Sequence, residues 1–299
     1  MHDGPVVERL DEPAPLGAVI GTWLEADVIE ATVRNARTQG CDPVLLVDND
    51  SPDDTIEVAV AAGAVLADRY TTEALRNVER VRRMGDAARA AAERAGVARH
   101  WWLFLDADEL PHGPGGRTIR EHLDLLDARV RVVGSRTFNH FPSGPIANEP
   151  GRHPIDFQPL AQERLAPACP LRHWKHPLLR IDRAGTAISP NPGFHTVAVE
   201  RRVLEAAEPV IAHHFPFRDR ATTTARLEAL RPSDGPDRLE SDEWAMSRRY
   251  DNLDAVYGQR WAEVDTHDMV DEGEELAPRP WTELLDPADQ VVARWYPTG

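Results

Sequence analysis

Asp106 and Asp108 stand one residue apart in WWLFLDADEL (residues 101–110), directly after a run of large apolar side chains. In an extended segment alternate residues share a face, so this spacing predicts that both carboxylates point the same way and Ala107 the other. Two carboxylates about 4 Å apart repel by about 4 kcal/mol at an effective dielectric of about 20, so such a pair needs a shared proton or a cation. Oxygen donors with no cysteine among them favour Mg2+ or Mn2+, which complete their coordination with substrate phosphates. A solvated acidic strand end would read the same way.

Two other residue types stand out. Lys175 is the only lysine among 34 basic residues, so a compact ammonium occurs once where arginine serves everywhere else. Five of the 12 histidines, His173, His176, His195, His213 and His214, fall between residues 173 and 214. The overall balance is acidic, 50 Asp and Glu against 34 Lys and Arg for a net charge of −16, which argues against nucleic acid and anionic membrane surfaces as partners. No apolar run is long enough to predict a transmembrane helix. MHDGPVVERLDEPAP lacks the cationic start and apolar core of a secretion signal. Cys41 and Cys169 form no metal or redox motif, and a reduced, cytoplasmic location suits them.

These groups need elements to position them. LGAVI (16–20), PVLLV (43–47), AVLA (64–67) and WWLFL (101–105) predict short apolar strands, PVLLV a buried one. Helices are expected between them: one through Leu24, Val28, Ile29 and Val33, one over 52–62 with Ser51 as N-cap and Pro52 in its first turn, and one over 72–95. Alternation of this kind predicts a parallel sheet with helices on both faces, whose ligands sit at the carboxyl ends of the strands. Those ends carry Thr22, Asp48 to Asp50, and Asp106 to Glu109. Beyond them, 118–126 predicts a helix, 130–141 and 176–181 predict strands, and 142–170 reads as an irregular, substrate-facing loop region. Short apolar stretches follow near 194–199 and 210–212, and helices are expected from 219 onward.

GAVIGTWLEADVIEATV, VLLVDNDSPDDT and WWLFLDADEL, in this order, resemble the family 2 glycosyltransferases of the GT-A fold. The nearest branch has a DxD segment reading FLDxDEF. The resemblance covers about residues 15–220. It implies a GT-A type domain over 15–220, flanked by what the residues themselves read as a flexible tail at 1–14 and a mostly helical C-terminal extension over 221–299. It also implies a hexosyltransferase-class enzyme with a nucleotide-diphosphate-sugar donor, a divalent metal and inversion at the sugar. Asp48 then matches the acidic residue at the nucleoside, and Ser51, Asp53 and Thr55 the helix start. Asp106 matches the group near ribose and metal, and Asp108 the direct metal ligand. Of the branch's KNE segment only Glu25 is present, after Trp23 and Leu24. HWKHPLLR (173–180), GFHT (193–196) and HHFPFR (213–218) resemble later segments of the branch. They imply donor-side roles for Lys175, Arg180 and His195, and make His214 a third metal ligand in preference to His213. Asp156 and Glu163, in the irregular region, are the candidate catalytic bases.

Other readings fit less well. A DxDx[TV] phosphatase would place Thr or Val where Leu110 stands, and no glycine-rich phosphate loop is present. A non-catalytic module of GT-A type that binds a sugar or nucleotide is the alternative from another class.

Overall fold

The computed structural model describes residues 13–72, 77–143, 153–164, 175–183, 188–199, 203–230, 251–264 and 278–290. Cys169 and His173 lie outside them.

The architecture is α/β. Strands β1 (Leu16–Thr22), β2 (Val44–Asp48), β3 (Val65–Arg69) and β4 (Arg99–Asp106) pair in parallel in the order β3-β2-β1-β4. Helices α1 (Ile29–Thr38), α2 (Thr55–Ala61) and α3 (Asn77–Ala95) connect them. This is the Rossmann-like parallel sheet, with helices between its strands, that the sequence predicts. The sheet continues past β4 with β8 (Lys175–Asp182), which runs antiparallel to it, then β6 (Val130–Phe141) and β7 (Leu160–Arg164). Strand β5 (Glu109–His112) turns back from β4 and pairs antiparallel with β12 (Val210–His214), which runs parallel to β6. Between β8 and β12, the short strands β9 (Ile188–Pro190) and β10 (Val197–Val199) pair with each other, and β11 (Leu204–Glu205) pairs with β6.

Strand β4 shows why the chain folds this way. Trp101, Leu103 and Leu105 pack into the apolar layer that includes Ile29 and Val33 of α1, while Trp102 and Phe104 face Met84, Ala88 and Ala92 of α3. A strand covered on both faces needs a continuous apolar run, and each such side chain contributes about 1.5–3 kcal/mol by leaving water. Gly17 makes room on β1: a Cβ there would lie 2.5 Å from the Trp102 ring.

Three boundaries differ from expectation. Helix α1 begins only at Ile29, because Leu24 takes a left-handed φ of 56° and the chain turns through Glu25 to Val28 first. Helix α2 begins at Thr55 with Asp54 at its N-cap, so Ser51 is not a cap. Instead the Ser51 hydroxyl donates to Asp48 and accepts from the Leu24 N–H. The region expected to be irregular contains β7 and a 3-10 turn over Pro154–Asp156. Helix α4 (Ile119–Leu123) precedes β6, and downstream of β7 lie α5 (Arg220–Leu230), α6 (Leu253–Tyr257) and the two-residue β13 (Arg279–Pro280), which pairs with β7. Among the described residues, no helix is long and apolar enough to cross a membrane.

Candidate active site

The carboxyl end of β4 is where charged side chains accumulate. β4 ends at Asp106, and Ala107 and Asp108 form a turn rather than continuing the strand. The predicted same-face pair is therefore replaced by two carboxylates with separate partners. Helix α1 shapes the turn from below: Thr32 Oγ1 donates to the Ala107 carbonyl at 2.5 Å, and Asn35 Nδ2 donates to the Pro111 carbonyl at 2.8 Å. These carbonyls lie where the chain has left β1, so the helix side chains satisfy groups that the sheet no longer can.

Asp106 lies between two cations. Lys175 Nζ donates to its Oδ2 at 2.7 Å and Arg80 Nη1 lies 2.8 Å from its Oδ1. Burial alone would raise this carboxyl, but Lys175 and Arg80 outweigh it and hold Asp106 well below the usual carboxylate range. Lys175 also donates to Glu109 Oε1 at 2.5 Å. Burial pushes the Glu109 carboxyl up, against the opposing pull of Lys175. Lys175 itself is pushed up, since the two carboxylates outweigh its burial. The Phe194 ring, 5.7 Å from the ammonium, walls the same spot. The solitary lysine is thus the counter-ion of the acidic cluster, whereas the resemblance places it on the donor side.

Asp108 belongs to a second group. The Phe215 N–H donates to the Asp108 carbonyl at 2.9 Å, which brings the end of β12 against the turn. His214 Nε2 then lies 3.6 Å from Asp108 Oδ1, and His214 Nδ1 is hydrogen-bonded to Asn139 Oδ1 at 2.7 Å. With Asn139 accepting, Nδ1 carries the proton, and Nε2 faces the carboxylate. Burial opposes the charge on Asp108, but the positive charges of a protonated His214 and of Arg218 outweigh it and lower its pKa. Arg218 is 1 % exposed in its side chain, with Nη2 3.7 Å from Asp108 Oδ2. It donates to Glu25, and to Asp27 Oδ1 at 2.6 Å. Arg226 of α5 donates to the other Glu25 oxygen at 2.5 Å. His213 turns the opposite way and shares a hydrogen bond of 2.8 Å with His140.

The remaining expected residues divide. Asp48 is buried, and its carboxylate accepts from Thr22 Oγ1 at 2.7 Å, Ser51 Oγ at 2.7 Å and the Ser51 N–H at 2.8 Å. It ties β1 to the loop after β2, and with no exposed surface it does not present itself to a nucleoside in this arrangement. Arg180 pairs in register with Trp101, at the start of β4, and binds Asp182 and the Ala128 carbonyl. Five residues of strand, about 17 Å, separate that level from Asp106. Because β8 is antiparallel, Lys175 reaches the site and Arg180 does not. His195 lies in a turn beside it: its carbonyl is hydrogen-bonded to His176 Nδ1 at 3.1 Å, and its neighbour Phe194 takes a left-handed φ of 59°. Glu163 is held in a two-point pair with Arg136 at 2.7 and 2.9 Å. Asp156 is exposed on its 3-10 turn, where the adjacent Ile155 packs on Ala31 and Phe215.

Sequence reasoning missed Arg80, Asp27, Arg226 and the weight of Glu109 and Arg218. Glu109 and Arg218 stand inside WWLFLDADEL and HHFPFR, but Arg80 is one arginine among many on an amphipathic helix.

Among the described residues, no three His, Cys, Asp or Glu side chains are grouped so as to hold a metal ion. The expected set of Asp106, Asp108 and His214 is therefore not assembled, because Asp106 is turned to Lys175 and Arg80. What remains face to face there is the Asp108 Oδ1 and the His214 Nε2, an oxygen and an imidazole nitrogen, donor types that suit Mn2+ better than Mg2+.

No protein-family model and no curated protein matches this chain. Among solved structures, it is similar to mannosyl-3-phosphoglycerate synthase from Rubrobacter xylanophilus at 22 % identity, with 42 % of this chain and 40 % of that one covered and a TM-score of 0.28. The glucosyl-3-phosphoglycerate synthase from Mycobacterium tuberculosis, in complex with Mn2+, UDP and glucosyl-3-phosphoglycerate, matches at 18 % identity over 42 % of this chain and 44 % of that one, TM-score 0.29. A mycobacterial protein matches at 17 % identity over 81 % of this chain and 74 % of that one, TM-score 0.38. The match spans less than half the length of either synthase. Likenesses of this size say nothing about activity.

Proposed function

We propose that this protein is a metal-dependent glycosyltransferase that moves a sugar, a hexose on the resemblance, from a nucleotide-diphosphate donor to an acceptor hydroxyl with inversion. The observation that carries the reading is the meeting of Asp108 and His214, from β4's end and β12's end, at 3.6 Å beside the Asp106–Lys175 pair. Oxygen and imidazole donors converge there at the carboxyl edge of parallel strands, where ligands bind in such sheets.

Asp108 and His214 would hold Mn2+ or Mg2+, whose chemistry there is to neutralise the leaving diphosphate. The chain's own groups do the rest. Lys175 and Arg80 hold Asp106 ionised at the rim of that position. Arg218 and Arg226 fix Glu25, and Asn139 fixes the His214 tautomer. Thr22 and Ser51 clamp the loop after β2 through Asp48, so the surface a nucleoside would meet is rigid.

Calorimetry with UDP and GDP, with Mn2+ and then with EDTA, tests this reading. Binding of one nucleotide that is lost in EDTA and in Asp108→Asn is the expected result. Equal affinity in EDTA would overturn it, and consumption of a nucleotide sugar separates a transferase from a binding module.

A further inference from the structure

Sugar transfer to a hydroxyl, the function proposed above and the reading on which this inference rests, releases a proton that a positioned group must take. The carboxylates of the site can be sorted by what already holds them. Asp106 is divided between Lys175 and Arg80. Glu109 is 2 % exposed in its side chain and lies against Lys175. Glu25 has one oxygen on Arg218 and the other on Arg226. Asp108 faces His214 and Arg218.

Asp27 differs from all of them. Its side chain is 25 % exposed, and among the described residues only its Oδ1 is engaged, by Arg218 at 2.6 Å. The same guanidinium, 1 % exposed, lies 3.7 Å from Asp108 Oδ2. One buried cation therefore fixes a solvent-side carboxylate relative to the carboxylate of the metal position. A buried, multiply paired arginine does not move easily, so Asp27 is held in place without being covered.

We propose that Asp27 is the catalytic base, taking the proton of the acceptor hydroxyl. In that step the acceptor oxygen bonds to the anomeric carbon, the bond from that carbon to the diphosphate breaks, and its electron pair leaves with the diphosphate. The hydroxyl proton passes to the Asp27 carboxylate, on the oxygen opposite Arg218. Asp27 replaces Glu163, which Arg136 holds at both oxygens. Asp156, exposed on its turn beside Phe215, is the rival.

The test uses the whole chain with Mn2+ and a panel of UDP- and GDP-sugars, following release of the nucleotide with water as acceptor. Asp27→Asn keeps an oxygen for Arg218 but cannot take the proton. Its turnover should fall by about 10²–10³-fold. Donor KM and Mn2+-dependent UDP affinity should stay within about threefold of wild type, the split expected of a group acting in the chemical step. Asp156→Asn, the rival, is measured beside it and should lose far less turnover than Asp27→Asn. If Asp27→Asn does not fold, Asp27→Ser gives the same comparison. The assignment is overturned if Asp27→Asn keeps turnover, if it loses affinity and turnover together, or if Asp156→Asn is the defective variant. A wild type that binds Mn2+ and UDP but consumes no donor overturns the base and leaves the metal position standing. A wild type that does neither overturns the proposed function and the base with it.

Discussion

His214 Nε2 faces Asp108 Oδ1 at 3.6 Å, while the preceding residue, His213, is fully buried on the other side of β12 against His140. Strand alternation separates the two imidazoles and gives them different work. His214→Ala should lose at least about tenfold in Mn2+ affinity with little change in melting temperature, in line with loss of a metal ligand or its supporting group. His213→Ala should keep Mn2+ affinity and lose about 2–4 kcal/mol of stability, through a cavity and an unpaired His140. Titration calorimetry and urea unfolding on both variants check this pair of outcomes. The reverse assignment would contradict the geometry.

Lys175 neutralises two carboxylates at once, and its side chain is 7 % exposed. Lys175→Met should therefore cost about 3–5 kcal/mol at neutral pH, because it leaves Asp106 and Glu109 facing each other without their shared cation. Unfolding in urea measures the loss. A change below about 1 kcal/mol would mean that Arg80 suffices for both.

The buried histidines make stability depend on pH. Burial lowers His140 to about 4 and His153 to about 3, so both stay neutral in the folded chain. The unfolded chain takes up protons below about 6.5, so stability is complete above that pH and falls as pH drops towards 4. The loss from His140 alone is on the order of 3 kcal/mol at pH 4, from 1.36 kcal/mol per unit. Urea midpoints at several pH values between 7.5 and 4.5 should show this slope, and His140→Phe should flatten it.

Thr32 holds the turn between Asp106 and Asp108 from the helix side. Thr32→Val leaves the buried Ala107 carbonyl without its donor and should cost about 1–3 kcal/mol, which Thr32→Ser should largely restore. Equal stability of the two variants would remove this clamp from the account.

The framework was legible because its strands are uninterrupted apolar runs: LGAVI, PVLLV and WWLFL each become a buried strand. Asp106, Asp108 and His214 were legible as polar residues at or just past strand ends. What stayed hidden depends on contacts between residues far apart in the chain. Nothing local marks Arg80 as the partner of Asp106 or Arg218 as the partner of Asp27. Arg180 was misplaced because the direction of β8 decides which of its ends meets Asp106, and an apolar run carries no direction. Ser51 looked like a helix cap because serine before proline suits that position, yet the helix starts only at Thr55 and the Ser51 hydroxyl donates to the Asp48 carboxylate instead.

The most direct measurement is release of nucleotide from UDP- and GDP-sugars by the wild-type protein, with Mn2+ and with EDTA, beside Asp108→Asn. Release from at least one donor that needs Mn2+ and falls by about 10²-fold or more in Asp108→Asn is the predicted result. Release that is equal in EDTA, or unchanged in Asp108→Asn, would contradict a metal-dependent sugar transfer at this site.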